Sequence, residues 1–244
     1  MKKYRKHSRK NPWRNTKKRR SFDIKKIMAA IVVVSLPLMI FCLVANLVMR
    51  LPDVYEYSLN SSNILQHSSI ATDTESVKTA ISKYLQGKST ELSLVESNGY
   101  KPTDIFSKED KQAMMQLRSF LNVLLGVGAV AFIFTFIIYF FMVRWRVKGI
   151  FMERFKQAAW VFIILQIINL TICFITPIWK RVYGLFIRTS FKDGDNLVLL
   201  LGEHFPRQVA IFEFLIGAVI MLIIGYFTRS FAGRKKLFKE TWSE

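Results

Sequence analysis

The apolar residues of the chain gather in four long runs that alternate with polar segments. The runs cover residues 27–49, 120–143, 158–178 and 211–227. A helix of about 20 mostly apolar residues is long enough to cross the roughly 30 Å hydrocarbon core of a bilayer. The pattern therefore predicts an all-α integral membrane protein with four transmembrane helices.

The polar segment at residues 50–119 is long for a connection and carries helical patterns of its own. Apolar residues recur at helical spacing between Val77 and Leu85, and Gly87 follows as a stop signal. Ser107–Asp110 has the sequence of a capping box, which predicts a second helix that continues into the next span. We expect these helices to form a small helical extracytoplasmic cap.

The basic residues set the expected orientation. The chain has 36 Lys and Arg against 17 Asp and Glu, and the excess lies in residues 1–26, 144–157 and 228–244. Segments rich in Lys and Arg stay in the cytoplasm, so we expect a disordered basic arm, a basic loop and a basic tail on that side. The cap and residues 179–210, which include a short interfacial apolar segment, are then extracytoplasmic. The sequence predicts a multi-pass plasma-membrane protein with both termini in the cytoplasm.

The same charge distribution indicates which partners to expect. Lys and Arg at a membrane surface attract anionic lipids, whereas a nucleic-acid-binding segment would interleave them with aromatic residues. We therefore expect membrane lipids and membrane-protein partners, and no specific nucleic acid. Whether the basic arm binds lipid, RNA or protein stays open.

Short motifs for common chemistries are absent from the sequence. It contains no glycine-rich phosphate loop and no short zinc or serine-nucleophile motif. Cys42 and Cys173 lie inside apolar runs without a metal-ligand neighbour, so they are interpreted as small core residues. No metal and no cofactor is predicted. Gln166 and Asn169 in the third run either hydrogen-bond to neighbouring helices or line a site.

Two histidines are candidate catalytic residues. His67 and His204 lie in segments predicted to be extracytoplasmic, and Glu203 precedes the second of them. They could meet over the membrane surface as an acid/base pair. The alternative is that each histidine is simply solvated in a polar loop.

Four cations of the second extracytoplasmic segment form the other candidate site. They are Lys180, Arg181, Arg188 and Arg207. With Trp179 and Tyr183 nearby, the first three are typical of an interfacial belt, and Arg207 could join a structural ion pair. The functional interpretation is a seat for an anionic lipid headgroup.

The layout resembles that of the lipoprotein intramolecular transacylase family, small four-span membrane proteins of Gram-positive bacteria. The likeness covers roughly residues 27–230 and is carried by layout more than by identity. The residues that carry it are Tyr84-Leu85 at the end of the outer helix, Phe106-Ser107 before the next, Gly184-Leu185-Phe186 after the third span, then Phe191 and Asp195, and Glu203 with Phe205. The resemblance implies movement of an acyl chain within a lipoprotein, from its diacylglyceryl group to the N-terminal amine of the lipidated cysteine.

The two histidine motifs of that family are degenerate in this sequence. The first is an acidic residue followed by x-x-His-Met-x-Asp-Val, and here Ala113 stands at the His position and Gln116 at the Asp position. The second is Leu-Phe-His, and here Ile187 stands at the His position. Acyl transfer to an amine needs a proton acceptor, and neither alanine nor isoleucine can act as one.

The resemblance therefore predicts the fold and argues against the activity. The first hypothesis is a non-catalytic scaffold, accessory or lipid-binding subunit. The alternative is an enzyme that handles lipid or lipoprotein acyl chains with His67, His204 or both. A small transporter subunit is a third possibility, but no span carries a charged pair at mid-depth.

Overall fold

The computed structural model describes residues 12–55, 74–97, 102–104, 106–144, 148–186 and 204–233. The helices, in chain order, are α1 (Pro12–Val48), α2 (Thr74–Leu85), α3 (Lys108–Arg144), α4 (Lys148–Phe174), α5 (Thr176–Phe186) and α6 (His204–Gly233), and the strands are β1 (Val95–Ser97) and β2 (Pro102–Asp104). Helices α1, α3, α4 and α6 are each long and apolar enough to span a membrane. The predicted fold class, an all-α membrane protein with four spans, is confirmed.

The surfaces of these four helices are apolar. Phe136, Leu222 and Tyr226 are each more than 60% exposed, as are Phe140 of α3 and Trp160 of α4. Such a surface is stable only in a hydrocarbon solvent, because a water-soluble protein would leave far less apolar area uncovered.

The helices extend beyond the apolar runs. Helix α1 begins at Pro12, so residues 12–26, predicted to be part of a disordered arm, are helical. Proline suits the first turn of a helix, and no glycine or second proline interrupts the chain before the span. Helix α4 begins at Lys148, within the predicted loop. The apolar run marks only the part in hydrocarbon, and the helix continues into water until a breaking residue.

Helix α1 lies at the centre of the bundle and packs against α3, α4 and α6. Two glycines permit close packing. A Cβ on Gly128 of α3 would lie 2.8 Å from Leu43 Cδ2, and a Cβ on Gly217 of α6 would lie 2.8 Å from the Phe162 ring of α4. Small residues at such positions let backbones approach, which is how helices associate in a bilayer.

The cap is built from α2, the outer part of α3 and a β-hairpin. Val77, Ile81 and Leu85 of α2 are buried in the same apolar cluster as Met114 and Leu117 of α3. This end of the bundle is called the cap end below. Ala113 and Gln116, which the family resemblance assigns to the first histidine motif, lie in the N-terminal part of α3.

Both predicted helix signals of the cap are confirmed. Gly87 has φ +81°, its N–H donates to the Tyr84 carbonyl (3.0 Å), and the Lys88 N–H donates to the Lys83 carbonyl (2.9 Å), which is a Schellman motif. At the start of α3 the Asp110 N–H donates to Ser107 Oγ and the Ser107 N–H donates to Asp110 Oδ2, both at 3.0 Å. This reciprocal pair is a capping box with aspartate at the third position.

The hairpin between α2 and α3 was not predicted. Strands β1 and β2 pair antiparallel, with Val95 opposite Asp104. Asp104 joins the hairpin to α3, because its carboxylate accepts the N–H groups of Leu94 and Phe106 and binds the Lys111 ammonium. Burial alone would raise the pKa of Asp104, but these hydrogen bonds and the Lys111 charge outweigh burial and lower it.

Candidate lipid-binding site at the cap end

The end of α1 and the start of α6 meet at the cap end. The Tyr55 and Phe205 rings stack with centroids 5.1 Å apart, and both side chains are fully buried. The Tyr55 hydroxyl donates to the Met49 carbonyl at 2.6 Å, which satisfies a backbone group beyond the end of α1. The chain that leaves α1 therefore lies against the first turn of α6.

Arg50 connects the cap to the bundle. Its carbonyl accepts Ser82 Oγ at 2.6 Å and Gln86 Nε2 at 3.0 Å, both from the region of the α2 C-terminus. Its guanidinium donates to Asn122 Oδ1 of α3 at 2.9 Å. Next to it, the Asn46 amide donates to the Leu121 carbonyl. Three helices are thus held together by one residue and its neighbours.

A second cation, Arg118 of α3, lies under the same turn. Its guanidinium donates to the Ser89 carbonyl at 3.1 Å and lies 5.0 Å from the centre of the Tyr84 ring. Burial, and then the charge of Arg118, lower the pKa of Arg50. The carbonyl ends of α1 and α2 lie beside this pair of cations and offset part of the repulsion. The arrangement explains how the cap is fixed in place, and sequence reasoning missed it.

Three of the four predicted headgroup cations lie within the described ranges, and Arg188 lies outside them. Lys180 and Arg181 are exposed on α5. Arg207, in the first turn of α6, places Nη2 at 3.5 Å from the Phe174 carbonyl and from Thr176 Oγ1, with its guanidinium 5.8 Å from the Phe174 ring. Arg207 therefore lies at the junction of α4 and α5.

This junction has the chemistry of a membrane interface. Thr176 precedes Lys180 by one helical turn, so the cations of α5 begin close to the one that α6 supplies. Trp179 of the same helix is buried. A cationic surface over aromatic and apolar residues suits a phosphate-bearing headgroup at the boundary of the bilayer. Arg207 also donates to the carbonyl of Phe174, the last residue of α4, which is its structural role.

The family positions can be followed only in part. Ala113 is 2% exposed and lies in the apolar cluster of the cap, and Gln116 is partly buried on the same helix. Ile187 lies outside the described residues, as do His67 and Glu203. His204 begins α6, but its side chain lies outside the described part as well. The predicted histidine pair therefore stays a prediction.

Polar side chains inside the spans bond across helices. The Asn169 amide of α4 donates to Glu213 Oε2 of α6 at 3.0 Å, and Gln166 is fully buried beside them. Thr135 donates to Ser35 Oγ at 3.0 Å, which joins α3 to α1. The contact of Asn169 favours the packing interpretation for that residue. Glu213 is only 2% exposed, so its carboxyl is closed off from a substrate at the interface.

The described residues contain no candidate metal site. Over those residues, no group of three or more His, Cys, Asp or Glu side chains lies close enough to hold an ion. The described cap end combines cationic side chains, aromatic rings and apolar helices, a combination that suits amphipathic molecules.

Four apolar helices with a polar cap define a helical multi-span integral membrane protein. The chain belongs to the family of the lipoprotein intramolecular transacylase Lit, whose family model matches residues 30–199. No curated protein sequence matches the chain significantly.

Solved structures of the membrane-integral transacylase Lit from Bacillus cereus share the fold. A variant with one histidine replaced by alanine has a TM-score of 0.67 and 15% identity, over 86% of this chain and 94% of the other. A variant with that histidine replaced by arginine has a TM-score of 0.67 and 14% identity, over 88% and 96%. A third structure of this transacylase has a TM-score of 0.61 and 14% identity, over 85% of this chain and 97% of the other. At these identities the likeness shows the fold.

Proposed function

We propose that this chain is a non-catalytic member of the Lit family that binds lipid at its cap end. It acts as an accessory subunit for membrane lipids or lipidated proteins and leaves their acyl chains in place. The observation that carries the proposal is that Ala113, which the resemblance places at the first family histidine, is 2% exposed among apolar side chains.

The chemistry of acyl transfer supports the absence of catalysis. An amine must lose a proton as it attacks an ester carbonyl, so a base has to lie at the reacting centre. The Ala113 methyl group cannot accept a proton, and Gln116 supplies no charge in place of the family aspartate. The outer part of α3 therefore offers no base at either of these positions.

The cations of α5 and α6 support lipid binding. Lys180 and Arg181 are exposed on a helix whose Trp179 is buried, and Arg207 lies at the start of that helix. Each cation near an anionic membrane surface contributes on the order of 1 kcal/mol to the attraction. These residues can bind an anionic headgroup without any histidine.

The test of catalysis is mass spectrometry of lipoprotein N-termini from cells with and without the gene. We expect the same acylation pattern in both, and in cells that carry the double variant His67→Ala/His204→Ala. A pattern that changes on deletion and returns with the wild-type gene but not with the double variant would contradict the proposal. That result would instead establish an acyl-handling enzyme that uses one or both histidines.

The test of lipid binding uses the purified full-length protein. Native mass spectrometry should detect retained phosphatidylglycerol, and Lys180→Gln/Arg181→Gln should weaken retention at the cap end about 30-fold, since each lost cation removes roughly 1 kcal/mol. Lys83→Gln/Lys88→Gln serves as the control, because it removes the same charge from exposed positions of the cap. Equal retention by the wild type and the α5 variant would refute lipid binding there.

A further inference from the structure

Glu213 of α6 is the one charged residue within the four apolar runs of the chain. It lies eight residues into the Phe205–Ser230 part of α6 that is apolar enough to span a membrane, so its Cα lies about 12 Å from the cap end of that span. Its side chain is only 2% exposed. An ionisable side chain at such a depth is costly, and a bundle that keeps one generally uses it.

The groups that contact this carboxyl are neutral amides. Asn169 of α4 donates Nδ2–H to Glu213 Oε2 at 3.0 Å, and the carbonyl of the same amide accepts the Cys173 thiol at 3.8 Å. The other carboxyl oxygen, Oε1, has no hydrogen-bond partner among the described residues. Neither has the amide of Gln166, which lies beside Glu213 and is fully buried. Two buried polar groups that can bond to each other therefore lie side by side inside the bundle.

No cation among the described residues compensates a charge on Glu213. No described Lys or Arg side chain forms an ion pair with it, and Arg207, the nearest cation along α6, donates to the Phe174 carbonyl. Helix α6 packs against α1 and α4. The titratable groups that face Glu213 from these helices are the thiols of Cys42 and Cys173, which are ordinarily uncharged at neutral pH.

Hydrogen bonding alone permits either protonation state of Glu213. Gln166 can present its Nε2–H to a carboxylate or its Oε1 to a carboxylic acid. Charge separates the two states, because a carboxylate without a cation is among the most costly groups to bury in an apolar medium. A carboxylic acid is neutral and still accepts the bond from Asn169.

We propose that Glu213 is a proton-binding site inside the bundle, which holds its proton at neutral pH and donates it in a hydrogen bond to Gln166 Oε1. The proton is then part of the contact that joins α4 to α6. This site is separate from the lipid site proposed at the cap end, so either proposal can fail without the other.

Infrared spectroscopy tests the protonation state, because the C=O band of a protonated carboxyl is distinct from the bands of carboxylates and amides. The purified full-length protein is measured at neutral pH in dodecyl maltoside, a detergent without a carbonyl group. The difference between the wild type and Glu213→Gln should contain one protonated-carboxyl band. The difference between the wild type and Glu153→Gln, which removes an exposed carboxyl from α4, should contain only carboxylate bands. Circular dichroism checks that each variant keeps its helix content.

A second variant tests the hydrogen bond to Gln166. Gln166→Leu removes the acceptor of the carboxyl O–H, so the band of Glu213 should persist and shift to higher wavenumber. If Glu213→Gln does not fold, the difference between the wild type and Gln166→Leu still decides, because it should contain the band at two positions with opposite signs. Carboxylate bands in place of the protonated band in the Glu213→Gln difference, or no shift in Gln166→Leu, would overturn the proposal.

Discussion

The close approach of α3 to α1 predicts opposite effects of alanine substitution at Gly126 and Gly128, which are two residues apart on α3. A Cβ on Gly128 would lie 2.8 Å from Leu43 Cδ2 and 3.2 Å from Cys42 Cβ, whereas a Cβ on Gly126 would meet nothing within 4 Å. Leu43 can rotate away, but Cys42 Cβ moves only with the α1 backbone. Gly128→Ala therefore forces the two helices apart, and Gly126→Ala does not.

The magnitudes follow from two terms. Overpacking a closely packed contact costs about 1–3 kcal/mol, and replacing glycine by alanine inside a helix stabilises it by about 0.5–1 kcal/mol. The helix term is common to both variants and cancels in their difference. Gly128→Ala should thus be about 1–3 kcal/mol less stable than Gly126→Ala, which itself should be slightly more stable than the wild type.

The assay is reversible unfolding of both variants in the same detergent or bicelle, with the wild type alongside. Tryptophan fluorescence reports the transition, and the two alanine variants are compared directly. If Gly128→Ala proves as stable as Gly126→Ala, α3 does not approach α1 as closely as described, and the central position of α1 in the bundle would have to be revised.

Three further predictions concern the cap and the span interior. The pKa of Asp104 is lowered in the folded protein, so its carboxylate stabilises the hairpin fully above its ordinary pKa of about 4. This contribution is lost as the pH falls through the lower folded-state pKa. Hydrogen exchange of the cap should rise over that pH window in the wild type and not in Asp104→Asn. Asn169→Leu leaves Glu213 buried without its donor, so it should destabilise by about 1–3 kcal/mol, and adding Glu213→Leu should recover most of the loss in a double-mutant unfolding cycle; additive losses would show that the pair is not coupled. Ala113→His inserts an imidazole into an apolar cluster and should lower the unfolding midpoint without creating acyl transfer, as judged by lipoprotein mass spectrometry; transfer activity in this variant would show that a single histidine is sufficient.

The four spans and the helix signals of the cap could be predicted because each depends on residues that are consecutive in the sequence. An apolar run, a capping box at Ser107–Asp110 and a stop at Gly87 depend on local chemistry that no distant contact overrides. The hairpin could not be predicted, since strands of three residues are too short to show an alternating pattern. It is held by Asp104, whose partners Leu94 and Lys111 come from both sides of it in the chain.

The contacts of the candidate site were harder to foresee because they join residues far apart in sequence. Arg50 could be identified only as a cation after an apolar run, and nothing local indicated that Asn122 would accept its hydrogen bond. Asn169 and Glu213 were visible as polar positions in two spans, but their pairing depends on how α4 and α6 pack. Arg207 was predicted as a headgroup contact, and the structure adds its role at the end of α4.

The residues that hold the cap are distinct from those that the family resemblance places at the histidine motifs. Ser107, Gly87 and Arg50 fix the cap through backbone and side-chain hydrogen bonds, and none of them belongs to a histidine motif. At position 113 a small apolar side chain suits a buried helical site better than an imidazole, which would need a hydrogen-bond partner there. An alanine at position 113 therefore suits the apolar core of the cap. The contacts that hold the cap do not need a histidine at position 113, which agrees with the proposal of a lipid-binding member without transfer activity.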